Sequence, residues 1–405
     1  YATALLPIIV GLPFEMIEQA KLAEAYGNNM IFLFLGGFIL ALGIEKWDLH
    51  EFIAFTILRL VGQTPVRILA GFMAATAFLS MWISNTATAL MMLPIAISII
   101  KVTPRFREKK LFTIGLLLSI AFSANIGGTA TLIGTPPNIQ MAGILSSEFN
   151  VQVDFFQWFI FAFPFMLIML LITFFTLRFY FVKQASFEMV EFGKRTLNIN
   201  QKRILILFGL VVLSWMSRSL INQISPIEIN DTAIALTGAL LLFILPSKEQ
   251  KPLLVWGDLT QLPWGILFLF GGGMALASIL ANANIVAYFI QQLAPIAQLP
   301  MIVLVLIIVT IALFSTELMS NLALVSLLIP LIGEFALEMD LPLFGISAAV
   351  ALSASCAFML PVATPPNAIV YSSRQISLQN MIRYGFLLNV ITVFVITGLV
   401  YLVFF

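Results

Sequence analysis

The sequence contains one cysteine, Cys356, and one histidine, His50. One thiol cannot build an internal disulfide framework, and one imidazole leaves no material for a zinc site or a haem. Charge is equally scarce: charged residues make up 10% of the 405, the net charge is +1, and no basic stripe exists to meet nucleic acid. The scarcity is also uneven, because residues 68–100, 111–147, 299–333 and 341–373 hold no Lys or Arg at all. An intramembrane enzyme would need a nucleophile with its base, or a pair of metals, and this inventory offers neither.

Apolar side chains fill the space. They account for 61% of the residues, with a mean hydropathy of +1.06, far outside the range of soluble domains. Long apolar runs cover 30–44, 156–182, 204–217 and 384–405, and with their flanks they reach the roughly 20 residues that a membrane-crossing helix needs. They are continuous rather than alternating, which argues against an outer-membrane barrel. The expected class is an all-α, multi-pass protein of the cytoplasmic (inner or plasma) membrane, surrounded by lipid. Trp47, Trp158 and Trp264 are expected as interface anchors. His50, near Asp48 and Glu51, is expected at the membrane surface. Cys356 and the glycines at 36–37 and 271–273 read as packing positions.

Lys and Arg cluster at Arg59 and Arg67, 101–110, 183–203, 247–251, and Arg374 with Arg383, which the positive-inside rule places on the cytoplasmic face. The apolar run 68–100 then begins and ends inside, yet it has only about 33 residues, where two full spans need about 40. It is better read as a re-entrant hairpin bent at "WISNTAT" (82–88), and 299–333 as a second hairpin entering from the opposite side, bent at "MSNLAL" (319–324). The halves match elsewhere too: "FLFLGGFILALG" (32–43) resembles "LFLFGGGMALAS" (267–278), and "GTPPN" (134–138) resembles "ATPPN" (363–367). Ser84 to Ser320 is a step of 236 residues and Thr135 to Thr364 one of 229, so the register holds within a few positions. Two such halves of opposite orientation form an inverted-topology repeat, whose substrate site belongs near the midplane between broken helices. By the same symmetry 204–222 has no counterpart before residue 1, so a preceding span is expected.

The tetrapeptide Thr-Pro-Pro-Asn occurs twice, and consecutive prolines cannot continue a running helix. They suit its first turn, with Thr135 and Thr364 as N-caps and Pro136 and Pro365 at the first helical position. Each copy follows a helical stretch, 111–125 or 347–360, so each marks a transmembrane helix that breaks and reopens. Reopened helices offer free N–H groups and the positive end of the dipole to an anion. The backbone before them, with Ser84, Asn85, Ser320 and Asn321, offers oxygens to a hard cation such as Na⁺. With no Lys or Arg at hand, co-bound sodium is the natural supply of positive charge for a carboxylate. Glu317 is the one acid in these segments, open to ion or proton coupling or to holding the hairpin backbone; Asn125 is open to capping the break or reaching the site.

The paired Ser-Asn tips with "SIAFSANIGGTATLIGTPPN" (119–138) and "SCAFMLPVATPPNAIV" (355–370) resemble the divalent anion:sodium symporters, carriers of di- and tricarboxylates or sulfate, across essentially the whole chain. The resemblance implies a homodimeric elevator-type transporter. Its first sodium site would use Ser80, Ser84, Asn85 and backbone near Gly134. Its second would use Thr316, Asn321 and backbone at Met319, Ala363 and Pro365. Substrate carboxylates would meet Ser84, Asn85, Thr86, Thr135, Ser320, Asn321, Thr364 and Pro365. The same mapping makes 1–64 and 204–297 a scaffold and 68–182 and 299–405 the moving unit, with 50–62 and 283–297 as interfacial connecting helices. The second tip reads Ser320-Asn321-Leu322 where the common pattern has Thr, so one hydroxyl is missing. The implied activity is sodium-coupled uptake of C4-dicarboxylates such as succinate, malate or fumarate, with carboxylate exchange, or carriage of another anion such as citrate or sulfate, as alternatives.

Overall fold

The computed structural model describes residues 2–62, 64–102, 109–182, 196–282 and 299–405. The described residues fold into helices, and the only β pairing among them is an isolated bridge between Pro246 and Pro252. Seven of the helical stretches are long and apolar enough to cross a membrane, which fits a multi-pass membrane protein.

The first hairpin consists of α4 (Pro65–Ser80) and α5 (Asn85–Val102), turning at 81–84. Its entry is fixed by Thr64, which caps the Arg67 amide, and by Pro65, which needs no partner for a missing N–H. The second hairpin consists of α12 (Met301–Thr316) and α13 (Asn321–Glu338), turning at 317–320. Both tips lie where the short charge-bounded runs predict them.

The two double prolines start helices. In the first half α6 (Lys109–Gly128) ends, 129–135 is irregular, and α7 (Pro136–Phe149) begins. In the second half α14 (Leu343–Ser355) ends, 356–364 is irregular, and α15 (Pro365–Ser372) begins. Each reopened helix packs on the other half: α7 against α13 and α14, and α15 against α5 and α6. The repeats therefore interlock rather than sit side by side, and α6 is almost wholly buried between them. The long helices α8 (Phe155–Leu177) and α16 (Leu378–Phe404) follow the two breaks and keep one face exposed.

Around this unit lie α1 (Gln19–Tyr26), α2 (Asn29–Lys46), α3 (Leu49–Val61), α9 (Ile199–Ile224), α10 (Asp231–Ile244) and α11 (Trp264–Asn282). α2 packs closely on α10 because Gly36 lets the Ala235 backbone approach; a Cβ there would fall 2.7 Å from the Ala235 side chain. α9 is the most exposed long helix, presenting apolar side chains such as Ile206, Leu210 and Leu213 outward. A helix, α3, covers 50–61 of the expected 50–62, whereas 283–297 lies outside the described residues.

Two expectations are corrected. Trp158 is not an interface anchor: it is fully buried, and its indole N–H donates to the Thr129 carbonyl inside the first break (2.9 Å). An indole N–H is satisfied as well by a loose interior carbonyl as by a headgroup. His50 is buried at the start of α3 with Nδ1 3.3 Å from the Ile44 carbonyl, and burial lowers its pKa.

Candidate functional site

At the first tip, the Ser80 hydroxyl lies 2.6 Å from Asn85 Oδ1 and 2.7 Å from the Ala124 carbonyl. It has one proton for two acceptors. Asn85 Oδ1 also lies 3.3 Å from the carbonyls of both Ala124 and Gly134. Rotating the amide by 180° would put its nitrogen there and close the cluster with hydrogen bonds. With the oxygen there, Ser80 Oγ, Asn85 Oδ1, Ala124 O and Gly134 O converge, a neutral oxygen set that a hard cation satisfies.

The second tip repeats this build. Thr316 Oγ1 lies 2.8 Å from Asn321 Oδ1 and 3.0 Å from the Ala354 carbonyl. In both halves a fully buried hydroxyl five residues before the tip Asn meets that amide and a carbonyl from the last turns of the broken helix. Ala363 and Pro365 face the cavity beside Asn321, while Met319 belongs to the tip and is partly exposed without lining it.

The fourth residue of each Thr-Pro-Pro-Asn motif staples its break. Asn138 Nδ2 donates to the carbonyls of Thr131 (2.8 Å), Gly128 and Thr129 (both 3.3 Å), and Asn367 Nδ2 donates to Ala357 and Leu360 (both 3.1 Å). Thr364 caps α15 through the Asn367 amide, whereas Thr135 occupies the cap position of α7 without a side-chain cap bond.

Glu317 has a single geometry to explain. Its buried carboxylate accepts the backbone N–H groups of Phe358 (2.9 Å), Met359 (2.9 Å) and Leu360 (3.0 Å), and the Asn389 amide (2.7 Å). These partners belong to the second break and to α16, so the backbone that Glu317 holds is that of the break and not, as expected, that of its own hairpin. Asn389, inside the apolar run of α16, carried no sequence signal for this contact.

Between the tips and breaks lies a cavity of about 330 Å³. Ser84, Asn85, Thr86 and Thr135 line it from the first half, and Ser320, Asn321, Thr364 and Pro365 from the second, so all eight substrate candidates meet there. Gly134 lines it too, while Ser80 and Thr316 lie fully buried behind it. Phe34 and Phe38 of α2 and Ile266 and Leu269 of α11 close the far side. Leu322 stands in the wall where the first tip has Thr86, and no lining residue is ionisable. An anion held here has hydroxyls, amides and helix N-termini for partners, but no fixed positive charge.

Residues 1–404 match the family model described as the sodium:sulfate symporter transmembrane region. The chain is 35% identical to the sodium-dependent dicarboxylate transporter SdcS of Staphylococcus saprophyticus and 36% identical to SdcS of Staphylococcus aureus strain USA300, in each case over 99% of this chain and 81% of the relative. Among solved structures, that of the Alcanivorax borkumensis YdaH transporter, described as having an unusual topology, aligns with a TM-score of 0.66 over 96% of this chain and 90% of that one. At 11% identity this likeness concerns the fold alone.

Proposed function

The chain belongs to the sodium:sulfate symporter family, and from that premise we propose that it couples sodium influx to the uptake of C4-dicarboxylates such as succinate, malate and fumarate. The observation that carries this reading is the pair of like-built oxygen clusters flanking an uncharged cavity. The relatives named as sodium-dependent dicarboxylate transporters support the cargo class.

The mechanism follows from charge. A dianion entering a site without Lys or Arg loses its hydration and gains only dipoles, an unfavourable exchange on its own. Sodium ions in the two clusters would supply the missing charge a few ångströms away and hold the Asn85 and Asn321 amides with oxygen facing inward. Cation and anion then stabilise each other, so neither binds well alone, and coupling results. Sodium is held by Ser80, Ser84, Asn85, Gly134 and the Ala124 carbonyl on one side, and by Thr316, Met319, Asn321, Ala363, Pro365 and the Ala354 carbonyl on the other. Carboxylates meet the two tips, Thr135 and Thr364. Loaded, the unit formed by 68–182 and 299–405 moves against the scaffold of 1–64 and 204–297, within a homodimer, as an elevator.

The test is uptake of radiolabelled succinate into liposomes holding the purified protein, with an inward sodium gradient against potassium and choline. Sodium-dependent uptake that Asn85→Ala and Asn321→Ala each abolish in folded protein supports the reading. Equal uptake in every cation, requiring dicarboxylate preloaded inside, would replace it with an exchanger.

A further inference from the structure

Asn125, in the last turn of α6, reaches across the repeat. Its Nδ2 donates to Thr364 Oγ1 (3.0 Å) and to the Ala357 carbonyl (3.1 Å), and lies 3.4 Å from Asn367 Oδ1. All three acceptors belong to the second break or to the helix it opens. On its other side, Asn125 shares a planar peptide unit with the Ala124 carbonyl, which Ser80 engages in the first oxygen cluster. One rigid residue therefore joins a ligand of the first cluster to Thr364, the residue between Ala363 and Pro365 of the second.

Packing alone does not account for an amide at this position. Asn125 is fully buried, and its Oδ1 has no partner among the described residues, a cost that an apolar side chain would avoid. The second half's counterpart of the Ala124 carbonyl is that of Ala354, which sets Ser355 against Asn125, and the Ser355 hydroxyl turns back to the Ala351 carbonyl of its own helix. The second half thus manages the same helix end without an amide, and among the described residues no bond of this kind runs in the reverse direction from Ser355.

Resting on the sodium sites proposed above, we propose that Asn125 is a positioning residue that couples them. Occupancy of the first cluster fixes the Ala124 carbonyl and with it the Asn125 backbone, and the amide then fixes Thr364 and the Ala357 end of the second break. Sodium at the first site thereby preorganises the second, and by linkage the second strengthens the first.

The experiment measures sodium dependence in two ways: the rise of melting temperature with sodium in detergent, without substrate, and succinate uptake into liposomes. Wild type gives a Hill coefficient above one in both. Asn125→Ala brings it to about one and raises half-saturating sodium roughly three- to tenfold, the weight of one buried hydrogen bond. Asn125→Ser keeps one donor and falls between, and decides the matter if the alanine variant does not fold. A folded variant that keeps the wild-type Hill coefficient overturns the coupling role while leaving symport intact. A wild type insensitive to sodium in both assays overturns the underlying sodium sites and this inference with them.

Discussion

The two breaks are built to the same plan around the cavity and to different plans behind it. In the shared plan, each has a buried hydroxyl beside the hairpin tip that meets an Asn amide and an Ala carbonyl, and each has an Asn staple across its irregular backbone. Behind the cavity, the first break is held by a donor, Trp158 to the Thr129 carbonyl, while Thr131 itself donates to Met81. The second is held by an acceptor, because Glu317 takes three consecutive backbone N–H groups. The second irregular stretch, 356–364, is also longer than 129–135. The repeat keeps the geometry of the site and leaves the buttress free to use whichever chemistry satisfies the orphaned backbone groups.

The largest expected effect tests that asymmetry. Glu317→Ala strands three backbone N–H groups and the Asn389 amide, each at about 1–3 kcal/mol. It should leave little monodisperse protein on size exclusion in detergent. Trp158→Phe removes one donor and should cost about 1 kcal/mol, seen as a small drop in melting temperature. Equal losses in the two variants would mean that the buttresses are equivalent after all.

Next in size, Ser80→Ala and Thr316→Ala each remove a hydroxyl from one proposed sodium site. Half-saturating sodium for uptake should rise roughly 10- to 100-fold in each, the range for an interaction with a charged group, with Thr316→Ser close to wild type. A shift in only one of the two would assign the cation to that half alone. The smallest change concerns the tips: Leu322→Thr gives the second tip the hydroxyl of the first and should lower the KM for succinate roughly 2- to 10-fold, while Thr86→Leu should raise it.

The hairpins and breaks were legible because their signals are local. Charge bounds the short apolar runs, and paired prolines announce a helix start whatever surrounds them. The eight cavity candidates fell within those motifs, and the structure brings them together. What escaped was carried by groups without a side-chain signature or by side chains with two equally good uses. The Ala124 and Ala354 carbonyls look like any others in a sequence. Trp158 suited a headgroup as well as an interior carbonyl, and Asn389 was one polar residue in a long apolar helix. The reach of Asn125 into the other half depends on tertiary interlocking that no spacing reveals.

Glu317 also has a mechanical meaning. It sits in the turn of the second hairpin, accepts three backbone N–H groups of the break on its two oxygens, and is met by the Asn389 amide of α16. Hairpin tip, break and last long helix therefore share one side chain, so in the proposed cycle a displacement of any one of them is a displacement of all three, and the buttress of one break makes a single rigid piece out of three segments far apart in sequence.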